Sequence, residues 1–316
     1  MKILYFNNCW FTNVGEAFID MGGMEIVRRI FPNSQIACIS AMTDYYVRNV
    51  KTNKVGSIFH KPADAKRRKN INVGCISDYL EADYLILPGM MGTTEFLDSS
   101  ERLIVDQLVL HGCKIIFLGL GGWEYNAGER DTFRRYLQKI NPALVVTRDN
   151  TTYDSYKDYS NCIKGLDCAF WTKDVFDPRG FGNGTVYDVV TFNRSKEPDI
   201  FSGWKRPVIR PWHMQYSYDS SCYRKKIMLS DTPYDYLTVY ANASRVYTDL
   251  VHASIIALMY GIPVKYWYVD KRSLAFHALD AIQISDKGWM KIKAKELDMQ
   301  KQKIISRIIS EIKEEK

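Results

Sequence analysis

Along the chain, short apolar runs alternate with stretches whose apolar residues recur every third or fourth position. Lys2 to Phe6, Gln35 to Ser40, Tyr84 to Leu87, Lys114 to Leu118 and Leu144 to Thr147 are runs of the first kind and predict buried strands. Gly15 to Ile30, Glu101 to Leu110 and Asp131 to Ile140 are of the second kind and predict amphipathic helices, the first with Phe18, Met21, Ile26 and Ile30 on its apolar face. Strictly alternating strands and helices predict an α/β fold with parallel sheets. A first lobe closes near Cys168-Ala169-Phe170-Trp171. Asp177 to Gly184, rich in Asp, Pro and Gly, sustains neither helix nor strand and predicts an interdomain hinge.

The alternation then restarts. Val186 to Phe192, Pro207 to Ile209, Arg245 to Tyr247 and Val264 to Tyr268 predict strands. Tyr234 to Ala243 predicts a helix capped by Asp231 or Thr232 with Pro233 in its first turn, and Leu250 to Tyr260 predicts another, stopped by Gly261. Lys287 to Lys316 reads as a helix with Leu297, Ile304, Ile305, Ile308, Ile309 and Ile312 on one side. The expected division is residues 1–176 as a first Rossmann-like domain, 185–285 as a second, and 286–316 as a basic amphipathic helix. No repeat interrupts this plan.

Composition narrows the function classes. At 316 residues the chain exceeds what one core usually fills, in line with two domains. The net charge of +7 suits a phosphorylated substrate, an anionic membrane surface or nucleic acid. The one basic run, Lys66-Arg67-Arg68-Lys69, has no interleaved aromatics and reads as a solvated loop, so nucleic acid is not expected. No apolar run reaches the ~18 residues of a membrane span, and Asn7-Asn8 ends the first apolar run too soon for a signal peptide. The expected location is the cytoplasm. The C-terminal helix either rests peripherally on the inner face of the membrane or packs its Ile stripe on the protein itself. Seven scattered cysteines without a CxxC pair indicate neither a disulfide framework nor a zinc site, and no other metal site or cofactor is expected.

In open α/β sheets, ligands bind beyond the carboxyl ends of strands, where helix N-termini favour anions. The junction Thr248-Asp249-Leu250-Val251-His252-Ala253-Ser254 places His252 in the first turn of a helix. There an imidazole can exchange a proton near neutral pH, with Asp249 placed to cap the helix or orient the ring. Spacing alone favours the plainer reading, a histidine packed against the next strand. The loop from Asn7 to Gly15 carries one glycine and not a dinucleotide fingerprint, and either connects over the cleft or binds sugar; Glu16 at the following helix start serves as a base or sits there for the helix dipole. Gly119-Leu120-Gly121-Gly122 permits close backbone approach, and Trp212-His213 lines the cleft or packs beneath it.

One resemblance orders these candidates. The segment from Val246 to Val264, with Asp249-Leu250-Val251-His252-Ala253 and Gly261-Ile262-Pro263, resembles the signature of the polysaccharide pyruvyl transferases: an acidic residue, Arg, an aliphatic or aromatic residue, His, a small residue, and a helix ending in Gly-Ile-Pro. Asn13-Val14-Gly15-Glu16-Ala17 resembles that family's early loop, Ala82 to Gly89 its acidic-strand-Gly segment, Lys114 to Gly119 its strand ending in Gly-x-Gly, and Thr147-Arg148-Asp149 its Arg-Asp motif. Asp270-Lys271 falls where the family often has a late Lys. The resemblance implies a GT-B-like fold, two Rossmann-like lobes facing across a cleft, with a C-terminal helix. It implies transfer of pyruvate, as a ketal, from phosphoenolpyruvate to a sugar or lipid-linked oligosaccharide acceptor, with phosphoenolpyruvate as co-substrate. His252, with Asp249, would be catalytic; Arg148, Arg194 and Lys271 would hold the donor; Asn13, Gly15, Glu16, Gly89 and Gly121 would face the acceptor. Where the signature has Arg two residues before its His, this chain has Leu250, so Arg194, Arg210, Lys271 or Arg272 would supply the charge. The fold also suits a nucleotide-sugar glycosyltransferase or a catalytically silent sugar-binding relative. A homo-oligomer is left open.

Overall fold

The computed structural model describes residues 1–7, 13–40, 80–181, 184–201, 203–214, 227–267 and 271–314. The basic run at Lys66 to Lys69, together with Cys9, Cys75, Cys222 and Asp270, lies outside them.

The first lobe runs β1 (Lys2–Asn7), α1 (Val14–Ile30), β2 (Gln35–Ser40), β3 (Tyr84–Pro88), α2 (Thr94–Leu97), α3 (Ser100–Leu110), β4 (Lys114–Leu120), α4 (Ala127–Ile140), β5 (Leu144–Thr147), α5 (Asn150–Tyr156) and β6 (Cys162–Lys164), ending in a 3-10 turn (Cys168–Trp171) and α6 (Thr172–Val175). Its six strands are all parallel, in the order β2-β1-β3-β4-β5-β6. Every residue of β3 and β5 is buried. Both faces of the sheet are covered, which is why these strands read as unbroken apolar runs rather than as alternation.

The second lobe runs β7 (Asp188–Thr191), β8 (Val208–Pro211), β9 (Ile227–Met228), α7 (Pro233–Ala241), β10 (Arg245–Thr248), α8 (Val251–Met259), β11 (Val264–Tyr266), a 3-10 turn (Lys271–Ala278), β12 (Ile282–Ile284) and β13 (Trp289–Ile292). The sheet order is β12-β13-β11-β10-β7-β8-β9, parallel from β11 to β9 with an antiparallel hairpin, β12-β13, at one edge. The last element, α9 (Ala294–Glu314), crosses back to the first lobe.

Two boundaries differ from expectation. The tail is not helical from Lys287: Trp289–Ile292 is a strand and the helix begins at Ala294, so the C-terminal domain extends past residue 286. The cause is local, because Gly288 at φ +73° closes a tight turn onto Ser285 and such a turn favours a hairpin. Within α9, Leu297, Ile304, Ile308 and Ile312 are buried in one cluster with α1 and Trp171. The stripe therefore packs on the protein itself. Lys301, buried on that face, meets Asp174 at 2.7 Å, and Arg29 of α1 reaches the same carboxylate at 2.9 Å. No helix of the described residues is long and apolar enough to cross a membrane.

The lobes meet through α1. A side chain at Gly22 would collide with the Cys168 carbonyl, so glycine lets α1 lie directly on the turn that ends the first lobe. Thr172 donates to the Phe18 carbonyl at 2.8 Å, and Val14 N–H donates to the His213 carbonyl of the second lobe at 3.1 Å.

Candidate functional site

Four junctions at the carboxyl ends of strands, those after β4, β5 and β6 in the first lobe and after β10 in the second, meet the first turn of α1 where the lobes face each other. The first turn of α1 is shaped by its cap. Asn13, extended at φ −153°, accepts from Gly15 N–H at 3.0 Å, as an Asn cap should. Against Gly15 lies His252 of the second lobe, and a Cβ at Gly15 would collide with its Nδ1. His252 sits in the first turn of α8 with its side chain 17% exposed.

Below it are Arg148 and Asp167, both from the first lobe. Arg148 follows β5, is 4% exposed, and is tied by its own N–H to the Leu120 carbonyl at 2.9 Å. A Cβ at Gly121 would strike its guanidinium, so the glycine after β4 exists to admit that group. Asp167, 1% exposed, follows β6 and caps the 3-10 turn, accepting from Ala169 N–H at 3.0 Å. Its Oδ2 lies 3.4 Å from Arg148 Nη1 and 3.6 Å from His252 Nε2. Burial pushes the Asp167 carboxyl up, but the contact with His252, the Arg148 charge and the Ala169 N–H outweigh it and hold the group at about 2. Among the described residues, Arg148 Nη2 is buried with no hydrogen-bond partner. An orphaned charged donor at a cleft calls for an acceptor, and a guanidinium fork suits a carboxylate or phosphate.

The loop after β4 closes one side. Trp123, Glu124 and Tyr125 turn their N–H groups onto the Glu129 carboxylate at 2.8–3.3 Å, which forces Tyr125 to φ +53°. Tyr125 donates to Asp149 at 3.0 Å, and burial raises its hydroxyl to about 12. Across the cleft, Lys271 Nζ donates to the Glu124 carbonyl at 2.6 Å and Arg272 lies 4.9 Å over the Trp123 ring.

The structure thus brings together His252, Asn13, Gly15, Arg148 and Gly121. It places other expected residues elsewhere. Asp249 neither caps α8 nor orients His252: its carboxylate accepts from the N–H groups of Asn193, Arg194 and Ser195 and from the Ser195 hydroxyl at 2.7–3.1 Å. The reason is steric order, since the residue before the N-cap Leu250 is turned back toward the neighbouring strand end. Gly89, at φ +57°, is filled over by Ile19 and serves the packing of α1. Glu16 is half-buried in the first turn of α1 and Arg194 is exposed on the loop that Asp249 holds. Arg210 pairs with Glu197 at 2.8 Å. Trp212 donates to the Met214 carbonyl, and His213 is buried against Tyr240 at 2.7 Å. Asp167 and Tyr125 were not anticipated. A single acid within the apolar stretch Gly165 to Trp171 was the available signal for Asp167; nothing local marked Tyr125.

With this geometry in view, likeness to known proteins can be stated. The family model for polysaccharide pyruvyl transferase matches residues 13–264. No curated protein matches the chain in sequence. Among solved structures, the S. aureus MnaA–UDP co-structure is similar over 99% of this chain and 90% of its own, with a TM-score of 0.58 and 10% identity. The UDP-GlcNAc 2-epimerase from Methanocaldococcus jannaschii is similar over 98% of this chain and 99% of its own, with a TM-score of 0.54 and 12% identity. These likenesses show the fold: two Rossmann-like lobes facing across a cleft in the GT-B manner, with a C-terminal helix returning to the first lobe.

Proposed function

This chain belongs to the polysaccharide pyruvyl transferase family, and we propose that it transfers pyruvate from phosphoenolpyruvate to two hydroxyls of one sugar in a polysaccharide precursor, forming a ketal. The observation that carries this reading is the buried Arg148 guanidinium, whose unpartnered Nη2 sits in one cluster with His252. A small dianionic donor supplies the missing acceptor, and its methylene then lies within reach of an imidazole.

The chemistry balances with one proton carrier. His252, protonated, gives its proton to the methylene carbon while the first sugar hydroxyl bonds to the adjacent enol carbon and returns a proton to His252. The C–O bond to phosphate then breaks, and its electron pair leaves with the phosphate. The second hydroxyl closes on the same carbon, its proton going to the departing phosphate. General acid–base help of this kind contributes roughly 10²–10⁴ in rate. Leu250, buried at the N-cap of α8, carries no charge where the family signature has Arg. Arg148 from the opposite lobe takes the donor's carboxylate in this reading. Such a donor is a cytoplasmic metabolite, which places the reaction in the cytoplasm.

A second reading rests on Leu250 together with the fold. The M. jannaschii 2-epimerase has been solved with UDP-GlcNAc and UDP, and a chain lacking the family Arg is free to take a nucleotide sugar instead. Thermal unfolding with each ligand separates the two. A ligand at 100 times its dissociation constant adds about 2.7 kcal/mol. Phosphoenolpyruvate should stabilise the protein, and Arg148→Lys, which removes the guanidinium fork, should abolish the effect. Stabilisation by a nucleotide sugar with none by phosphoenolpyruvate would overturn the pyruvyl reading.

A further inference from the structure

Asp167 faces both Arg148 and His252 with a single oxygen: Oδ2 lies 3.4 Å from Nη1 and 3.6 Å from Nε2. Arg148 belongs to the same lobe as Asp167, whereas His252 belongs to the other. We propose that Asp167 is the positioning residue of this site: a first-lobe carboxylate that fixes which nitrogen of the second-lobe His252 holds a proton, and that does so only when the lobes are closed. This inference rests on the donor reading above and assigns a residue which that reading leaves without a role.

The argument is one of geometry. A carboxylate facing Nε2 can only accept, so Nε2 is held as N–H and the lone pair or transferable proton resides on Nδ1. Nδ1 is the nitrogen that lies over Gly15, beside the first turn of α1 and the Asn13 cap. At 3.6 Å the contact is longer than a hydrogen bond, and catalytic hydrogen bonds commonly tighten as a site closes. A movement of under about 1 Å of one lobe toward the other completes it. The carboxylate cannot easily turn away. Its Oδ1 is fixed by Ala169 N–H at 3.0 Å, and Leu166 and Cys168 on either side are buried.

Other titratable groups near the ring do not compete. His213, behind it, is buried neutral and bonded to Tyr240. Asp249 is turned to residues 193–195. Tyr125 donates to Asp149, and Arg148 already faces Asp167. Glu16, one residue along α1 from Gly15, has a partner of its own.

The test uses the full chain with ¹⁵N-labelled histidine, the His252 signals being identified by their loss in His252→Gln. In the wild type, His252 should show a slowly exchanging, downfield ring N–H at Nε2 that sharpens on adding phosphoenolpyruvate. Asp167→Asn should lose that signal while keeping most of the thermal stabilisation by phosphoenolpyruvate, since Arg148 remains. Because a buried charge is removed, Gly15→Ala serves as the second variant. Its Cβ must push the ring off Asp167, so the same signal should vanish with the Arg148–Asp167 pair intact. A ring N–H unchanged in Asp167→Asn sinks the positioning role whatever the ligand does. A signal lost in both variants, in a protein that phosphoenolpyruvate never stabilises, removes the donor and leaves the positioning role standing.

Discussion

On the first-lobe side of the cleft, Arg148 and Asp167 are buried as charges and neutralise each other at 3.4 Å. On the second-lobe side, His213 is buried neutral against the Tyr240 hydroxyl at 2.7 Å, and burial, helped by the nearby His252, drives its imidazole down to about 3. Both arrangements satisfy the cost of desolvation, but they answer acid differently. His213 must stay unprotonated, while an unfolded histidine takes up its proton at about 6.5. Its contribution is complete above about pH 6.5 and is lost as pH falls toward about 3. Asp167 contributes fully above the unfolded value of about 4 and loses its contribution only toward about 2. The packing around His213 should therefore fail first on acidification.

The largest effect expected from this contrast is a stability slope of about 1.4 kcal/mol per pH unit below pH 6.5, amounting to about 3 kcal/mol by pH 4.5. Urea unfolding at several pH values reads it directly. His213→Gln, which keeps an acceptor for Tyr240, should flatten the slope above pH 4, and Asp167→Asn should not. Equal slopes in the wild type and His213→Gln would break the comparison.

Two aspartates sharpen it next. Asp149 and Asp249 both sit just past a strand and just before a helix. Asp149 acts locally, accepting from the Thr152 N–H and hydroxyl at 2.7 Å as the N-cap of α5, and takes the Tyr125 hydroxyl. Asp249 holds three N–H groups and a hydroxyl of a loop more than fifty positions away in sequence. Truncating Asp249 to Ala should cost about 3–4 kcal/mol, because several partly buried donors lose one charged acceptor. Asp149→Ala should cost about 2 kcal/mol, a lost cap and two further hydrogen bonds from hydroxyls that can turn to other acceptors. The reverse order in urea unfolding would mean that the loop at 193–195 re-forms without its carboxylate.

The same pair marks how far the sequence could be read. The buried strands and the two-lobed plan were legible because both faces of each sheet are covered, which leaves unbroken apolar runs such as Leu144–Thr147. Gly121, Gly15 and His252 were legible as residues at strand-to-helix junctions, and Arg148 through the family resemblance. The task of Asp249 was not, because adjacency to His252 suggested a partnership that the turn of the backbone does not allow. Asp167 escaped because its partners are distant in sequence and a lone acid among apolar neighbours has no period. The edge hairpin escaped because strands as short as Ile282–Ile284 carry too few positions to show alternation.

Lys271 gives the smallest effect and the finest discrimination. Its ammonium donates to the Glu124 carbonyl across the cleft from an exposed side chain, and single exposed polar contacts contribute little to stability. Lys271→Ala should change the unfolding free energy by less than about 0.5 kcal/mol. Its effect on phosphoenolpyruvate is the more telling measurement. The Lys271 nitrogen is already engaged with the Trp123–Tyr125 loop, next to the aromatic ring that Arg272 covers, so stabilisation by phosphoenolpyruvate should survive the substitution. If it is lost while unmodified stability is retained, Lys271 reaches the donor as the late Lys of the family would, and the anion is then held from both lobes rather than by the first lobe's Arg148 alone.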